Sequence, residues 1–128
     1  MKIAVKELQR EVAKMGYTVI YDWTENPAQK PYEEHIEEAA MAAEKMAHAV
    51  IECGILIVLW AEGGVGFHIE TGGGLIASII SSQIPNQKKK HIFVVGDEKG
   101  SSVFYFHKLV KRLASIPELL EELKNIQH

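Results

Sequence analysis

Two runs of consecutive apolar residues constrain the fold of this 128-residue chain more than any other feature of its sequence. They are "GILIVLW", residues 54–60, and "HIFVVG", residues 91–96. A short, continuously apolar run is typical of a strand that is covered on both faces, as the strands of parallel sheets are. Because helical patterns alternate with these runs, the sequence predicts an α/β fold with a mostly parallel sheet.

The rest of the chain supplies the helices and shorter strands of this pattern. Apolar residues at helical spacing predict four helices, over residues 3–15, 32–52, 75–83 and 116–126. Gly16 is expected to end the first helix, and Ser115 with Glu118 forms a capping box for the last. Two further strands are predicted, near 17–22 and 110–114. Since the first helix begins almost at residue 1, the opening strand of a doubly wound domain is predicted to be missing or truncated.

Composition narrows the classes of partner. The chain has 17 acidic and 14 basic residues, a net charge of −3, which argues against a nucleic-acid polymer as partner. The basic run 88–90 is interpreted as a solvated loop. The single cysteine, Cys53, is expected to be an inert buried thiol and suits a reducing compartment. Since no apolar stretch is long enough to cross a bilayer, we expect a single cytoplasmic domain over 1–128 without a membrane partner.

A glycine-rich stretch follows the first apolar run, where parallel sheets usually bind their ligands. "AEGGVGFHIETGGG", residues 61–74, has six glycines. Gly63, Gly64 and Gly66 lie between strand and helix, where backbone amides can cradle an anion. The spacing fits neither a Walker A loop nor a dinucleotide-binding fingerprint. The glycines at 72–74 are interpreted as a mobile turn together with close packing of the helix on the sheet.

Four polar or aromatic residues complete the candidate site. Glu70 is predicted in the first turn of the helix, either as a capping group or as a reactive carboxylate. His68, two residues earlier, is a candidate to orient a substrate. Asp22 and Trp23 end the predicted strand 17–22, where they could contact a base or pack as structural residues. Because the histidines show no metal-ligand spacing, no metal and no cofactor are expected.

The motifs "YDWT", "GILIVLW", "EGGVGFHIETGGGLIAS", "HIFVVG" and "VFYFHKLVKRLAS" resemble, in this order, those of the nucleoside 2-deoxyribosyltransferase-like family. The resemblance implies a flavodoxin-like three-layer sandwich that forms dimers or larger assemblies. It also implies cleavage or exchange of the N-glycosidic bond of a nucleoside or nucleotide, with Glu70 as the nucleophile. Such a carboxylate divides one displacement into two steps through a glycosyl–enzyme.

Two departures from that family leave other functions open. By spacing, the positions of two family aspartates fall on Met46 and Gly54, which cannot move a proton or orient a base. A non-catalytic nucleotide-binding or interaction module is therefore one alternative, and an NAD glycohydrolase-like enzyme is another. The small sheet and the flat, alanine-rich helix 32–52 predict a homodimer or larger assembly, because parallel sheets need cover on both faces.

Overall fold

The computed structural model describes residues 2–20, 30–59, 66–87, 89–96 and 103–126, with the backbone alone for 2–4 and 66–68. The chain divides into two compact units, Met1–Ala49 and Val50–His128, which are described separately below. In the described ranges, no helix has the length and apolar character needed to cross a membrane.

The first unit begins with helix α1, Lys2–Lys14. Leu8 and Val12 of its predicted apolar face are buried. Gly16 has a φ of 94° and ends the helix as predicted. Its amide donates to the Ala13 carbonyl at 3.0 Å, and the Tyr17 amide donates to the Val12 carbonyl at 3.1 Å. This pair of bonds satisfies the last carbonyls of α1 and forms a Schellman cap.

The predicted strand over 17–22 is wrong where the structure describes it. Residues 17–20 have no strand structure, because the Schellman cap turns the chain at Gly16 instead of extending it. Residues 21 and 22 lie outside the described ranges. The predicted helix over 32–52 forms as a 3-10 helix, Tyr32–Glu34, followed by helix α2, Ile36–Glu52. Of the residues of α2, only Val50 is fully buried.

The second unit is built on a parallel sheet. Its strands are β1, Ile55–Leu59, β2, His91–Val95, and β3, Val110–Leu113, in the order β1-β2-β3. Both pairings are parallel, with Ile55 opposite His91 and Ile92 opposite Val110. The apolar runs at 54–60 and 91–96 and the predicted strand near 110–114 are therefore confirmed as parallel strands.

The sheet is covered by helices on both of its faces. Helix α3, Gly66–Ser82, contacts β1 and β2. Helix α4, Ile116–Lys124, contacts β2 and β3. The core on the α3 side is formed by six buried residues: Val58, Leu75, Ile92, Val94, Tyr105 and Val110. Lys111 follows Val110 in β3, and successive side chains of a strand point to opposite faces, so Lys111 and its partner Phe93 lie on the face away from α3. Lys111 forms an ion pair with Glu122, and α4 therefore covers that face. The fold class is thus α/β, as predicted.

Helix α4 begins at the predicted capping box. The Ser115 hydroxyl accepts a hydrogen bond from the Glu118 amide at 3.4 Å. The Glu118 carboxylate accepts one from the Ala114 amide at 3.0 Å. These bonds satisfy backbone donors at the start of the helix, whose Leu119 and Leu123 are buried.

Lys90 corrects the interpretation of the basic run as a solvated loop. Lys89 is exposed, but Lys90 is 5% exposed. The Lys90 ammonium donates to the carbonyls of Val50 at 2.9 Å and Ile51 at 3.1 Å, and also to that of Cys53. The first two carbonyls belong to the last turn of α2 and the third follows it, and a cation is favoured at this end of a helix. The buried charge is thus fully hydrogen-bonded.

Candidate functional site

The candidate site lies at the carboxyl edge of the sheet, where Leu59, Val95 and Leu113 end the three parallel strands. Helix α3 begins at this edge, at Gly66. Ligands of open parallel sheets usually bind there, beyond the ends of the strands. Gly66 and His68 are placed in the backbone of the first turn of α3. The other predicted binding residues, Asp22, Trp23, Gly63 and Gly64, lie outside the described residues.

Glu70 lies in α3, but one turn later than the sequence predicts. The helix begins at Gly66, and its first turn contains no acidic residue. The predicted position in the first turn is therefore wrong, because the glycines at 72–74 are part of the helix and do not delay its start. A carboxylate in the second turn is beyond the free amides that a capping group binds. The capping alternative for Glu70 is thus removed.

The carboxyl group of Glu70 is partly shielded from water. Burial raises the pKa of Glu70 above its ordinary range, and no other cause contributes to the shift. Within the described ranges, no hydrogen bond or ion pair holds the Glu70 carboxylate. Fully buried carboxylates are usually paired or hydrogen-bonded, whereas the partly buried Glu70 keeps some access to water. A shielded carboxylate without such a partner, at the edge where ligands bind, is a candidate reactive group.

Gly74 explains how α3 approaches the sheet. A Cβ atom at Gly74 would lie 2.5 Å from Cδ2 of Leu56 and 3.8 Å from Cδ1 of Ile92. The interpretation of close helix packing is therefore confirmed at Gly74. At Gly72, by contrast, no described atom lies within 4 Å of such a Cβ. Glu70 lies one turn before Gly74, so it is on the same side of α3 and nearer the carboxyl edge.

The positions matched to the two family aspartates lie elsewhere in the chain. Gly54 immediately precedes β1, and its carbonyl accepts a hydrogen bond from the His91 amide at 2.9 Å. This is the amino edge of the sheet, about 16 Å of strand away from the edge where α3 begins. Met46 is half-buried on α2, in the other unit. Glu44, an acidic residue two positions before Met46, is exposed on α2, with its carboxylate 3.7 Å from Nε2 of His48.

The aromatic segment before β3 contributes one buried side chain to the core. Residues Val103–Phe106 form a 3-10 helix in which Tyr105 is 2% exposed. The His107 Nδ1 atom accepts a hydrogen bond from the Leu109 amide at 3.1 Å, which fixes the turn into β3. Phe104 is 58% exposed. The sequence of this segment favours packing or a subunit contact over catalysis; packing is confirmed for Tyr105, and a subunit contact of Phe104 stays a prediction.

A basic cleft at the amino edge of the sheet was missed by sequence reasoning. It has a volume of about 270 Å³ and lies between the starts of β2 and β3 and the end of α4. Lys89, His91, Lys108 and Lys111 are among its lining residues. These residues come from two segments about twenty positions apart, so no local pattern in the sequence could join them. The tertiary structure alone brings them together.

Neither a metal site nor a similarity to known proteins assigns a further function to the described residues. Among the described side chains, no three His, Cys, Asp or Glu residues are close enough to hold a metal ion. No protein-family model matches the chain, and no curated protein or solved structure is significantly similar to it. The resemblance to the nucleoside 2-deoxyribosyltransferase-like family therefore depends on the motifs alone.

Proposed function

We propose that this protein cleaves or exchanges the N-glycosidic bond of a small nucleoside or nucleotide, with Glu70 as the nucleophile. The observation that carries the proposal is the shielded Glu70 carboxylate in the second turn of α3, with its pKa raised by burial and no partner in the described ranges. The resemblance to the nucleoside 2-deoxyribosyltransferase-like family, and with it a flavodoxin-like fold, supplies the substrate class.

In the proposed reaction, an oxygen of Glu70 attacks the anomeric carbon while the bond from this carbon to the base nitrogen breaks. The base leaves with the electron pair of that bond and takes up a proton from water. Water or a second base then attacks the same carbon, loses a proton to the solvent, and releases Glu70 as a carboxylate. The glycines at 63, 64 and 66 would let the sugar or a phosphate approach backbone amides, and His68 would orient the substrate.

The position of Gly54 removes one objection to this reaction. A side chain at position 54 would project from the amino edge of the sheet, at the far end of β1 from the start of α3. An aspartate there could not contact a substrate held at Glu70. The spacing match of position 54 to a family aspartate therefore does not hold in this structure, and position 54 gives no support for or against a reactive Glu70.

A binding module without catalysis is the second candidate, and Met46 is the observation that favours it. This half-buried, apolar side chain occupies the helix position where the resembled family carries an aspartate. With Met46 in place, that position offers no group for proton transfer. Such a module would retain the glycines as a ligand cradle and would bind nucleotides without releasing a base.

We also propose that the protein forms a homodimer through α3. Three isoleucines form an exposed stripe on this helix: Ile69 is 77% exposed, and Ile76 and Ile80 are each 54% exposed. An exposed apolar stripe of this kind is typical of a surface that contacts a partner protein. In an antiparallel pair of α3 helices, the isoleucine stripes of the two copies would pack against each other. The stripe carries no charge, so two copies would not repel each other there.

The decisive experiment is incubation of the full chain with deoxynucleosides, their 5′-monophosphates and NAD, followed by chromatography of the free base. Wild-type protein is expected to release base, and Glu70→Gln should lower the rate by at least about a thousandfold. Glu121→Gln, an exposed glutamate on α4, serves as the matched control. Equal base release by wild type and Glu70→Gln would contradict the enzyme. Calorimetric binding of a nucleotide by both would then support the binding module.

A further inference from the structure

The cleft at the amino edge of the sheet is separate from the site around Glu70. Its wall is formed by Lys89 and His91 at the start of β2, by Lys108 and Leu109 before β3, and by Asn125 after α4. The carboxyl edge, where α3 begins, is at the opposite end of the same strands. Whatever binds in this cleft would therefore not contact a substrate held by Glu70.

The charge of this cleft differs from that of the whole chain. Its lining has four lysines, at positions 89, 90, 108 and 111, and one glutamate, Glu122, so its formal charge is 4 − 1 = +3. The chain as a whole has a net charge of −3. A positively charged cleft in a protein of negative net charge focuses the electric field on anionic ligands.

Two of these lysines are already engaged. Lys90 donates to the carbonyls at the end of α2, and Lys111 forms an ion pair with Glu122 at 2.6 Å. Lys89 and Lys108 are exposed, and within the described ranges neither has a carboxylate within 4 Å. Their ammonium groups are therefore available to an anion that enters the cleft.

We propose that this cleft binds the phosphate group of a small molecule through Lys89 and Lys108. Lysine binds phosphate as a point charge, and several cations around one cleft favour a ligand with more than one negative charge. The Asn125 side chain adds a hydrogen-bond donor to the lining, while Leu109 and Ile126 supply an apolar surface. A volume of about 270 Å³ suits a small phosphorylated molecule.

His91 provides a reporter of an anion in the cleft. Burial lowers the pKa of His91, and the nearby positive charge of Lys89 lowers it further. The other charged groups of the lining are Lys90, Lys108 and the Lys111–Glu122 pair. A bound phosphate would offset the charge of Lys89, so the pKa of His91 should rise when the ligand binds.

The test is a two-dimensional amide NMR titration of the full chain with pyrophosphate, using succinate as a dianion without phosphorus. We expect saturable shifts at Lys89, His91, Leu109 and Asn125, with tighter binding of pyrophosphate than of succinate. The variant Lys89→Gln/Lys108→Gln should bind pyrophosphate about tenfold more weakly. The control Lys30→Gln/Lys45→Gln makes the same change of net charge in the other unit and should bind like wild type.

Four outcomes would overturn the proposal. They are the absence of saturable shifts with pyrophosphate, shifts confined to the amides of α3, an equal loss of affinity in the control variant, and an unchanged affinity in Lys89→Gln/Lys108→Gln. Equal affinity for succinate and pyrophosphate would overturn the assignment to phosphate. None of these outcomes depends on base release, so the proposed reaction at Glu70 is tested independently.

Discussion

Gly74 of α3 faces Leu56 of β1 so closely that a Cβ atom on the glycine would lie 2.5 Å from the leucine Cδ2. Contacts this short between a Cβ and another carbon essentially do not occur, so one side chain would have to move. Leu56 packs against the buried core of the sheet, which limits how far it can move. The distance between α3 and the sheet therefore depends on a glycine at position 74.

The first prediction compares two glycines of the same helix. Gly74→Ala should lower the free energy of unfolding by about 1–2 kcal/mol, because overpacking against Leu56 exceeds the gain in helix propensity. Gly72→Ala should raise it by up to about 1 kcal/mol, since no described atom lies within 4 Å of the new Cβ. Urea unfolding of both variants measures the difference. If Gly74→Ala is as stable as Gly72→Ala, the packing described here is wrong.

The second prediction compares two adjacent lysines. Lys90→Met should lower the free energy of unfolding by about 2–4 kcal/mol, because it leaves the carbonyls of Val50, Ile51 and Cys53 without their buried donor. Lys89→Met removes an exposed side chain and should change stability by less than about 0.5 kcal/mol. Thermal and urea unfolding of the two variants provide the test. Equal stabilities would show that Lys90 does not hold this segment.

The third prediction concerns the pH dependence of base release. The nucleophile must be ionised, and burial raises the pKa of Glu70. The acid limb of the rate profile should therefore lie at a higher pH than the ordinary pKa of a glutamate, with the rate rising as the pH increases through it. Single-turnover rates measured across the acid range test this. An acid limb at the ordinary glutamate value would contradict a shielded Glu70.

The fourth prediction concerns stability and is independent of any activity. Because the pKa of Glu70 is higher in the folded than in the unfolded chain, the folded state retains the proton to higher pH. Ionisation of Glu70 therefore reduces the free energy of unfolding as the pH rises through this interval. Glu70→Gln should be more stable than wild type at neutral pH. This difference in stability should shrink at pH values below the pKa of Glu70 in the unfolded chain. Urea unfolding of both proteins at acid and at neutral pH measures it.

The fifth prediction concerns assembly. Wild-type protein should be a dimer in light scattering, and Ile76→Lys should be a monomer, because it would bury an unpaired charge of each copy in the apolar interface. Met41→Lys, an exposed apolar residue of α2, is the control and should remain dimeric. Loss of the dimer only in Met41→Lys would assign the interface to α2. A monomeric wild type would exclude both helices.

The local features of this fold could be predicted because they depend on neighbouring residues. The apolar runs at 54–60 and 91–96 contain β1 and β2, because a strand that is covered on both faces can bury every side chain of a short apolar run. Gly16 ends α1, and the capping box of Ser115 and Glu118 begins α4, both as predicted. Each cap acts on backbone groups within a few residues, so the local sequence is enough to predict it.

Other features were decided by the tertiary structure, because they depend on residues far apart in the chain. The glycines at 72–74 argue locally against a helix, yet α3 includes them, since Gly74 must pack on Leu56 of β1. Lys90 is polar and belongs to a basic run, but it is buried because distant carbonyls at the end of α2 accept its hydrogen bonds. Glu70 was predicted as the nucleophile, and position 54 was matched by spacing to a family aspartate. Only the direction of β1 between them placed them at opposite edges of the sheet.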